Sequence, residues 1–257
     1  MYLVDYHTHP YSHGEKEIKY NKKLIKNYIN IAYKKGIKEL GFSDHDEYIK
    51  KIKLNLIDEL SENSPVKLLK GIEFDYIPGK ESYINRKIKK LNLDYAIGSV
   101  HFIDGWGFDN PNNIDEYQKR DIDRSYEEYY SIIEKCIESD LFNIVGHLDL
   151  IKVFGFKVNN EKKISNIIIS ILKKIKKYDL VLELNTNGLN KPIKEIYPSE
   201  KIIHEAYNLN IPFTLASDAH RAERVGEGIK DYTELLKRIG YKEIAVFENR
   251  KISFIEI

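Results

Sequence analysis

Seven of the eight histidines in this 257-residue sequence follow short apolar runs, in company that could hold a metal ion. Run 3–6 leads into His7-Thr8-His9, with His13 four residues further on. Run 39–42 leads into Ser43-Asp44-His45, run 67–72 into Glu73, and run 95–100 into His101. Run 142–145 leads into Gly146-His147, run 180–184 into Asn185, and run 213–216 into Ser217-Asp218-Ala219-His220. Neutral imidazole and carboxylate are natural ligands of divalent transition metals. His7 and His9 stand two apart on an extended segment, so their side chains share one side and can chelate one ion. A four-coordinate ion needs only four protein ligands. The candidates His7, His9, His13, His45, Glu73, His101, His147, Asp218 and His220 therefore suit two or three ions, with a carboxylate such as Glu73 bridging. His-x-His alone is a weak signal. The recurrence of ligand types after separate runs is what carries weight.

The runs have the length and composition of strands. Steps from His7 through His45, Glu73, His101, His147 and Asn185 to Asp218 are 38, 28, 28, 46, 38 and 33 residues, each long enough for one β/α unit. Amphipathic stretches fill the gaps. In 22–35, Leu24, Tyr28, Ile31 and Ala32 make an apolar face and Gly36 stands at the C-terminal cap. Stretch 125–139 opens with Ser125 and Glu128 as a capping box, with Cys136 on its buried face. Stretch 164–177 carries Ile164, Ile168, Ile171 and Ile175. In 199–208 the apolar face leaves His204 pointing outward, an ordinary surface residue. Seven strands alternating with helices predict parallel α/β architecture. A closed barrel gathers all strand ends on one face, whereas an open sheet spreads them along a line.

Composition narrows the partners. Lys plus Arg is 41 against 40 for Asp plus Glu, a net charge of +1, which disfavours nucleic acid and membrane surfaces as partners. One cysteine permits neither an intrachain disulfide nor a cysteine-based zinc site and suits a reducing, cytoplasmic setting. No apolar run reaches membrane-spanning length, and residues 1–9 do not read as a targeting segment. No linker or composition shift divides the chain, so residues 1–257 read as one domain, and nothing in them specifies an oligomer.

The motifs His7-Thr8-His9, Ser43-Asp44-His45, Gly71-Ile72-Glu73, Gly98-Ser99-Val100-His101-Phe102, Gly146-His147-Leu148-Asp149 and Ser217-Asp218-Ala219-His220 resemble the polymerase and histidinol phosphatase (PHP) family. Gly98 through Trp106, Gly146 through Lys152 and Glu183 through Leu189 are similar to its stand-alone histidinol-phosphatases. The resemblance implies a distorted (β/α)7 TIM-like barrel with a three-metal site at the C-terminal ends of the strands. It assigns His7, His9, Glu73 and Asp218 to one ion, Glu73, His101 and His147 to a second, and His13, His45 and His220 to a third. Manganese, iron and zinc all suit such ligands. The implied reaction is hydrolysis of L-histidinol phosphate, a small phosphorylated substrate, in histidine biosynthesis.

In that chemistry a metal-bridging hydroxide attacks phosphorus in line, and the ions offset the phosphoryl charge. Asp218, His220 and Glu73 would line the reacting centre, with Asp218 a poor acid if it is a ligand. Lys152, Lys191 and Arg221, each following a strand-end motif, are expected to bind phosphate. Trp106, in the Gly-, Asp- and Asn-rich loop 102–113, would either cover the substrate or only support its loop. Two alternatives remain. One is a same-fold phosphoesterase acting on nucleotides, phosphotyrosine or DNA ends, the last disfavoured by the balanced charge. The other is a metal amidohydrolase, many of which use a strand-end lysine that this chain lacks. A metal store would need neither the loop nor the cationic clamp.

Overall fold

The protein is described by a computed structural model covering residues 1–15 and 17–257. Its strands are β1 (Leu3–Asp5), β2 (Ile37–Phe42), β3 (Lys67–Lys70), β4 (Glu73–Asp75), β5 (Ile97–Ser99), β6 (Phe102–Ile103), β7 (Trp106–Gly107), β8 (Ile144–Val145), β9 (Val181–Asn185), β10 (Phe213–Ala216), β11 (Glu243–Glu248) and β12 (Lys251–Glu256). Its helices are α1 (Lys22–Lys34), α2 (Asn55–Ser61), α3 (Glu81–Leu91), α4 (Glu116–Lys119), α5 (Ile122–Glu138), α6 (Glu161–Lys177), α7 (Glu200–Asn208) and α8 (Ile229–Ile239). Strands β1, β2 and β3 form one parallel sheet. A second parallel sheet runs in the order β10-β9-β8-β5-β4. The α/β class and the parallel alternation match the sequence expectation.

Hydrogen bonds cross between the sheets at both margins. Tyr6 donates its N–H to the Leu215 carbonyl at 3.0 Å, and Thr8 forms a parallel bridge to Ala219. Gly71 donates to the Phe42 carbonyl at 2.8 Å, and His45 bridges to Glu73. The third expected strand, 67–72, is therefore corrected. It ends at Lys70, and Glu73 opens a separate strand in the other sheet instead of closing the third. The cause is Tyr95, whose buried ring wedges into the seam. A Cβ on Gly71 would come within 2.3 Å of that ring, and one on Gly41 within 2.0 Å of its hydroxyl oxygen. The same hydroxyl donates to the Tyr6 carbonyl at 2.6 Å. Tyr95, Tyr6 and Phe247 pack at centroid distances of 5.3 to 5.7 Å and fill the space beneath the seam.

Helix ends follow local chemistry. Asn21 caps α1 by accepting from the Leu24 N–H, and Gly36 takes a positive φ of 76° just beyond its end. Asn160 caps α6 in the same way. The Ser125–Glu128 capping box does not form. Asp121 is the cap of α5, and Ser125 lies inside the helix with its hydroxyl on the Asp121 carbonyl. A side-chain acceptor one turn earlier takes the Arg124 N–H at 3.0 Å, so the helix starts there. Cys136 is buried on α5, as expected. The hairpins β6–β7 and β11–β12 lie outside the strand pattern anticipated from sequence. No helix among the described residues is long and apolar enough to cross a membrane.

The seam makes a stability prediction. Gly71→Ala should lower the unfolding free energy by about 1–3 kcal/mol, since the ring it meets is held on both sides. Urea denaturation reads this directly; an unchanged midpoint would mean that Tyr95 yields freely.

Candidate metal centre

All strands of the two sheets are parallel, so their carboxyl ends face one way. Just beyond those ends lie His7, His9, His45, His101, His147, Asp218 and His220, with Glu73 at the start of β4. Thr8 pins the first motif. Its N–H reaches Ser43 Oγ at 3.1 Å and its hydroxyl donates to the Gly41 carbonyl at 2.7 Å. The flanking His7 and His9 rings consequently sit 4.8 Å apart on one side, as their spacing predicts. Asp218 adopts φ 51°, an uncommon region for a residue with a Cβ, costing about 1–3 kcal/mol.

Glu73 stands at the middle, 1% exposed. Its Oε1 lies 3.0 Å from His147 Nε2, 3.4 Å from His7 Nε2 and 3.6 Å from His101 Nε2. Its Oε2 lies 2.8 Å from His45 Nδ1 and 3.6 Å from His9 Nε2. Three sets of candidate ligand atoms each fall within 4.8 Å of one another: His7, His9 and Asp218; Glu73, His101 and His147; His9, His45 and His220. The third set differs from expectation, because His9 and not His13 closes on His45 and His220. His13 sits on an exposed turn between Ser12 and Gly14, both at positive φ. Its ring flanks His220 at 4.4 Å and lies 6.1 Å from His45.

The electrostatics are those of a cation site. Burial alone would raise the Glu73 carboxyl, but His7, His45 and His101 hold it well below the usual range. Asp218 is likewise held low against burial by His7, His9 and His220, so it stays ionised and is no proton donor. Burial, with His220 and His45 beside it, pushes His9 well below the usual range and keeps it neutral. Burial depresses His220 to about 4. Among the described residues, buried His7 Nε2, both nitrogens of His9, Glu73 Oε2, His147 Nδ1 and His220 Nε2 have no hydrogen-bond partner. Orphaned buried polar atoms of this kind are costly unless something else satisfies them. The donor set fits divalent metal ions.

A supporting layer orients these groups, and sequence reasoning did not assign it. Glu183 accepts from His7 Nδ1 at 2.7 Å, from the His147 N–H at 2.7 Å and from Asn185 Nδ2 at 2.8 Å. The bond fixes the His7 ring orientation and turns its Nε2 toward Glu73. Asp75 does the same for His101 Nδ1 at 2.5 Å. Asn185 and Asn187 both donate to Asp218 Oδ2, at 3.3 and 3.0 Å, leaving Oδ1 to face His9. Asn185 thus supports a ligand through its amide group. The available signal was an acid inside the otherwise apolar run of β9, which is buried throughout.

A cavity of about 580 Å³ opens over the cluster and is lined in part by Lys191. The other expected substrate contacts lie elsewhere. Lys152 turns its ammonium to Asp149 at 3.0 Å, Glu195 at 3.1 Å and the Ile196 carbonyl at 2.9 Å. Arg221 is exposed and does not line the cavity. Trp106 is buried edge-on against Tyr117 at 4.7 Å, beneath the Arg120 guanidinium, and packs its loop rather than facing the cavity. Loop 102–113 itself does form a cavity wall. His204 lies exposed on α7, as expected.

Glu183→Gln keeps the shape but loses the charge that fixes His7. Zinc affinity should fall about 10–100-fold while far-UV circular dichroism is unchanged. Titration with a competing chelator measures it, and an unaltered affinity would remove Glu183 from the centre.

Comparison with known proteins agrees with this geometry. A PHP domain model matches residues 5–187. A probable histidinol-phosphatase from Deinococcus radiodurans is 32% identical over 88% of this chain and 90% of that protein. A histidinol-phosphatase from Lactococcus lactis is 25% identical over 98% of this chain and 97% of its own length. The crystal structure of histidinol phosphate phosphatase from Lactococcus lactis, complexed with zinc, L-histidinol and phosphate, superposes with a TM-score of 0.80. That likeness covers 98% of each chain at 22% identity. Since the matched segment contains every clustered ligand before Asp218, and a 32% identical relative spans most of the chain, the protein belongs to the PHP domain family.

Proposed function

We propose that this protein is a metal-dependent phosphatase that hydrolyses L-histidinol phosphate to L-histidinol and phosphate. The observation that carries this reading is the ring of buried, unsatisfied imidazole and carboxylate atoms around Glu73, opening into a cavity that also holds Lys191. The histidinol-phosphatase names of its relatives supply the substrate. The bonds joining the sheets at both margins support their being two arcs of one distorted (β/α)7 barrel, a single domain over residues 1–257.

His7, His9, Glu73 and Asp218 would hold one divalent ion, and Glu73, His101 and His147 a second. His45 and His220 would hold a third, with His9 or the flanking His13. Manganese, iron and zinc each suit these donors. Bound ions would neutralise phosphoryl charge and make water acidic enough to serve as a nucleophile near neutral pH. The protein's part is preorganisation. Glu183 and Asp75 orient the His7 and His101 rings, and the paired amides orient the Asp218 carboxylate. Lys191, on the cavity lining, would bind a phosphoryl oxygen. A carboxylate, Glu73, and no lysine stands at the centre of the cluster, where it would suit bridging two ions, and this favours phosphoryl over amide chemistry.

Metal analysis and phosphate release from histidinol phosphate, a nucleotide and phosphotyrosine test the reading. Histidinol phosphate should lead the panel by kcat/KM; equal or better turnover of another member would overturn the assigned substrate. Glu73→Ala should lose bound metal and at least about 100-fold in rate. His204→Ala should stay within about 2-fold of the parent, as surface changes usually do.

A further inference from the structure

The cavity over the cluster is lined by groups of both charges, Lys191, His13 and His220 among them. Lys191 lies close enough to His13 to help depress it, behind burial and His45. Beyond the central Glu73 and Asp218, the lining carries the acids Asp46, Glu47, Asp75 and Asp109, of which Asp75 is engaged by His101 and Asp46 accepts from the Asp75 N–H at 3.2 Å. Asp109 has no hydrogen-bond or ion-pair partner among the described residues. It is near enough to His101 to raise that imidazole, though it ranks behind burial, Asp75 and Glu73 as an influence.

The loop is built to present Asp109. Trp106 and Phe108 are buried, with Phe108 edge-on to Tyr129 at 5.3 Å. The alternate positions Gly105, Gly107 and Asp109 line the cavity. Asn113 braces the backbone by donating to the Gly107 carbonyl at 2.9 Å. Across the hairpin Phe102 stays 40% exposed and also lines the cavity, a flat apolar face beside the acid. A free carboxylate facing a phosphate dianion is repulsive, and it discriminates usefully only if the other half of the ligand is a cation.

We infer that the site selects phosphomonoesters whose alcohol half carries a positive charge, with Asp109 as the residue that binds it. The inference rests on the phosphatase reading and assigns a residue of this chain to the cationic end of its substrate. Nucleotides and sugar phosphates, which bring no cation to Asp109, are disfavoured by the same carboxylate.

The test compares the holoenzyme with Asp109→Asn, which keeps size and hydrogen bonding but removes the charge. The substrates are L-histidinol phosphate, O-phosphoethanolamine and p-nitrophenyl phosphate, the last with an uncharged leaving group. Losing a charge-assisted contact should raise KM for the two cationic substrates about 10–100-fold. It should leave kcat, and kcat/KM for p-nitrophenyl phosphate, within about 3-fold, since the lost contact is made equally in ground and transition states. Competitive inhibition by L-histidinol should weaken in parallel. Equal losses on all three substrates, or no loss on the cationic ones, would overturn the role of Asp109. A parent enzyme that hydrolyses O-phosphoethanolamine but not histidinol phosphate would sink the assigned substrate alone. Preference for p-nitrophenyl phosphate over both would sink the two together.

Discussion

A carboxylate with 1% of its surface exposed stays ionised only if its surroundings supply the positive charge that water would otherwise screen. Five histidines surround the two oxygens of Glu73, and His7, His45 and His101 supply that charge while His147 adds a hydrogen bond. No single β/α unit can provide such a ring. The histidines come from the ends of four other strands, and each must arrive with a ring nitrogen inward. Much of the remaining structure serves that requirement. Glu183 and Asp75 set ring orientation, Asn185 and Asn187 set Asp218, and Thr8 holds His7 and His9 on the same side.

The two sheets must also meet in a fixed relation, because the ligands come from both. Tyr95 sets one seam through the space left by Gly41 and Gly71. Asp5 sets the other, accepting the Ser217 N–H at 2.9 Å, its hydroxyl at 2.5 Å and the Gly226 N–H at 2.8 Å. Burial pushes its carboxyl up to about 6 despite these bonds. The position is two residues before His7 and one before Asp218 in its partner, so the bond that joins β1 to β10 also sets the spacing of two ligands.

Much of the site was legible as residue types at unit spacing. His7, His9, His45, Glu73, His101, His147, Asp218 and His220 all arrive within one cluster. The substrate side was less legible. Lys152 follows its strand-end motif but faces Asp149 and Glu195, because a buried carboxylate nearby is a stronger attraction than an open cavity. Trp106 is buried by its aromatic neighbours, and the polar residue three further on faces the opening. In a loop, neither periodicity nor composition shows which side chains point inward.

By itself the sequence determined the alternation of strands and helices, the ligand chemistry at the strand ends and the absence of any cysteine site. These are local matters of side-chain type and period, carried by each segment on its own. Only the tertiary structure decided that run 67–72 breaks at Gly71, that His9 closes on His45 and His220, and that Glu183 stands behind His7. Each depends on groups far apart in the chain competing for the same space or the same proton, and such competition exists only once the sheets have been brought together.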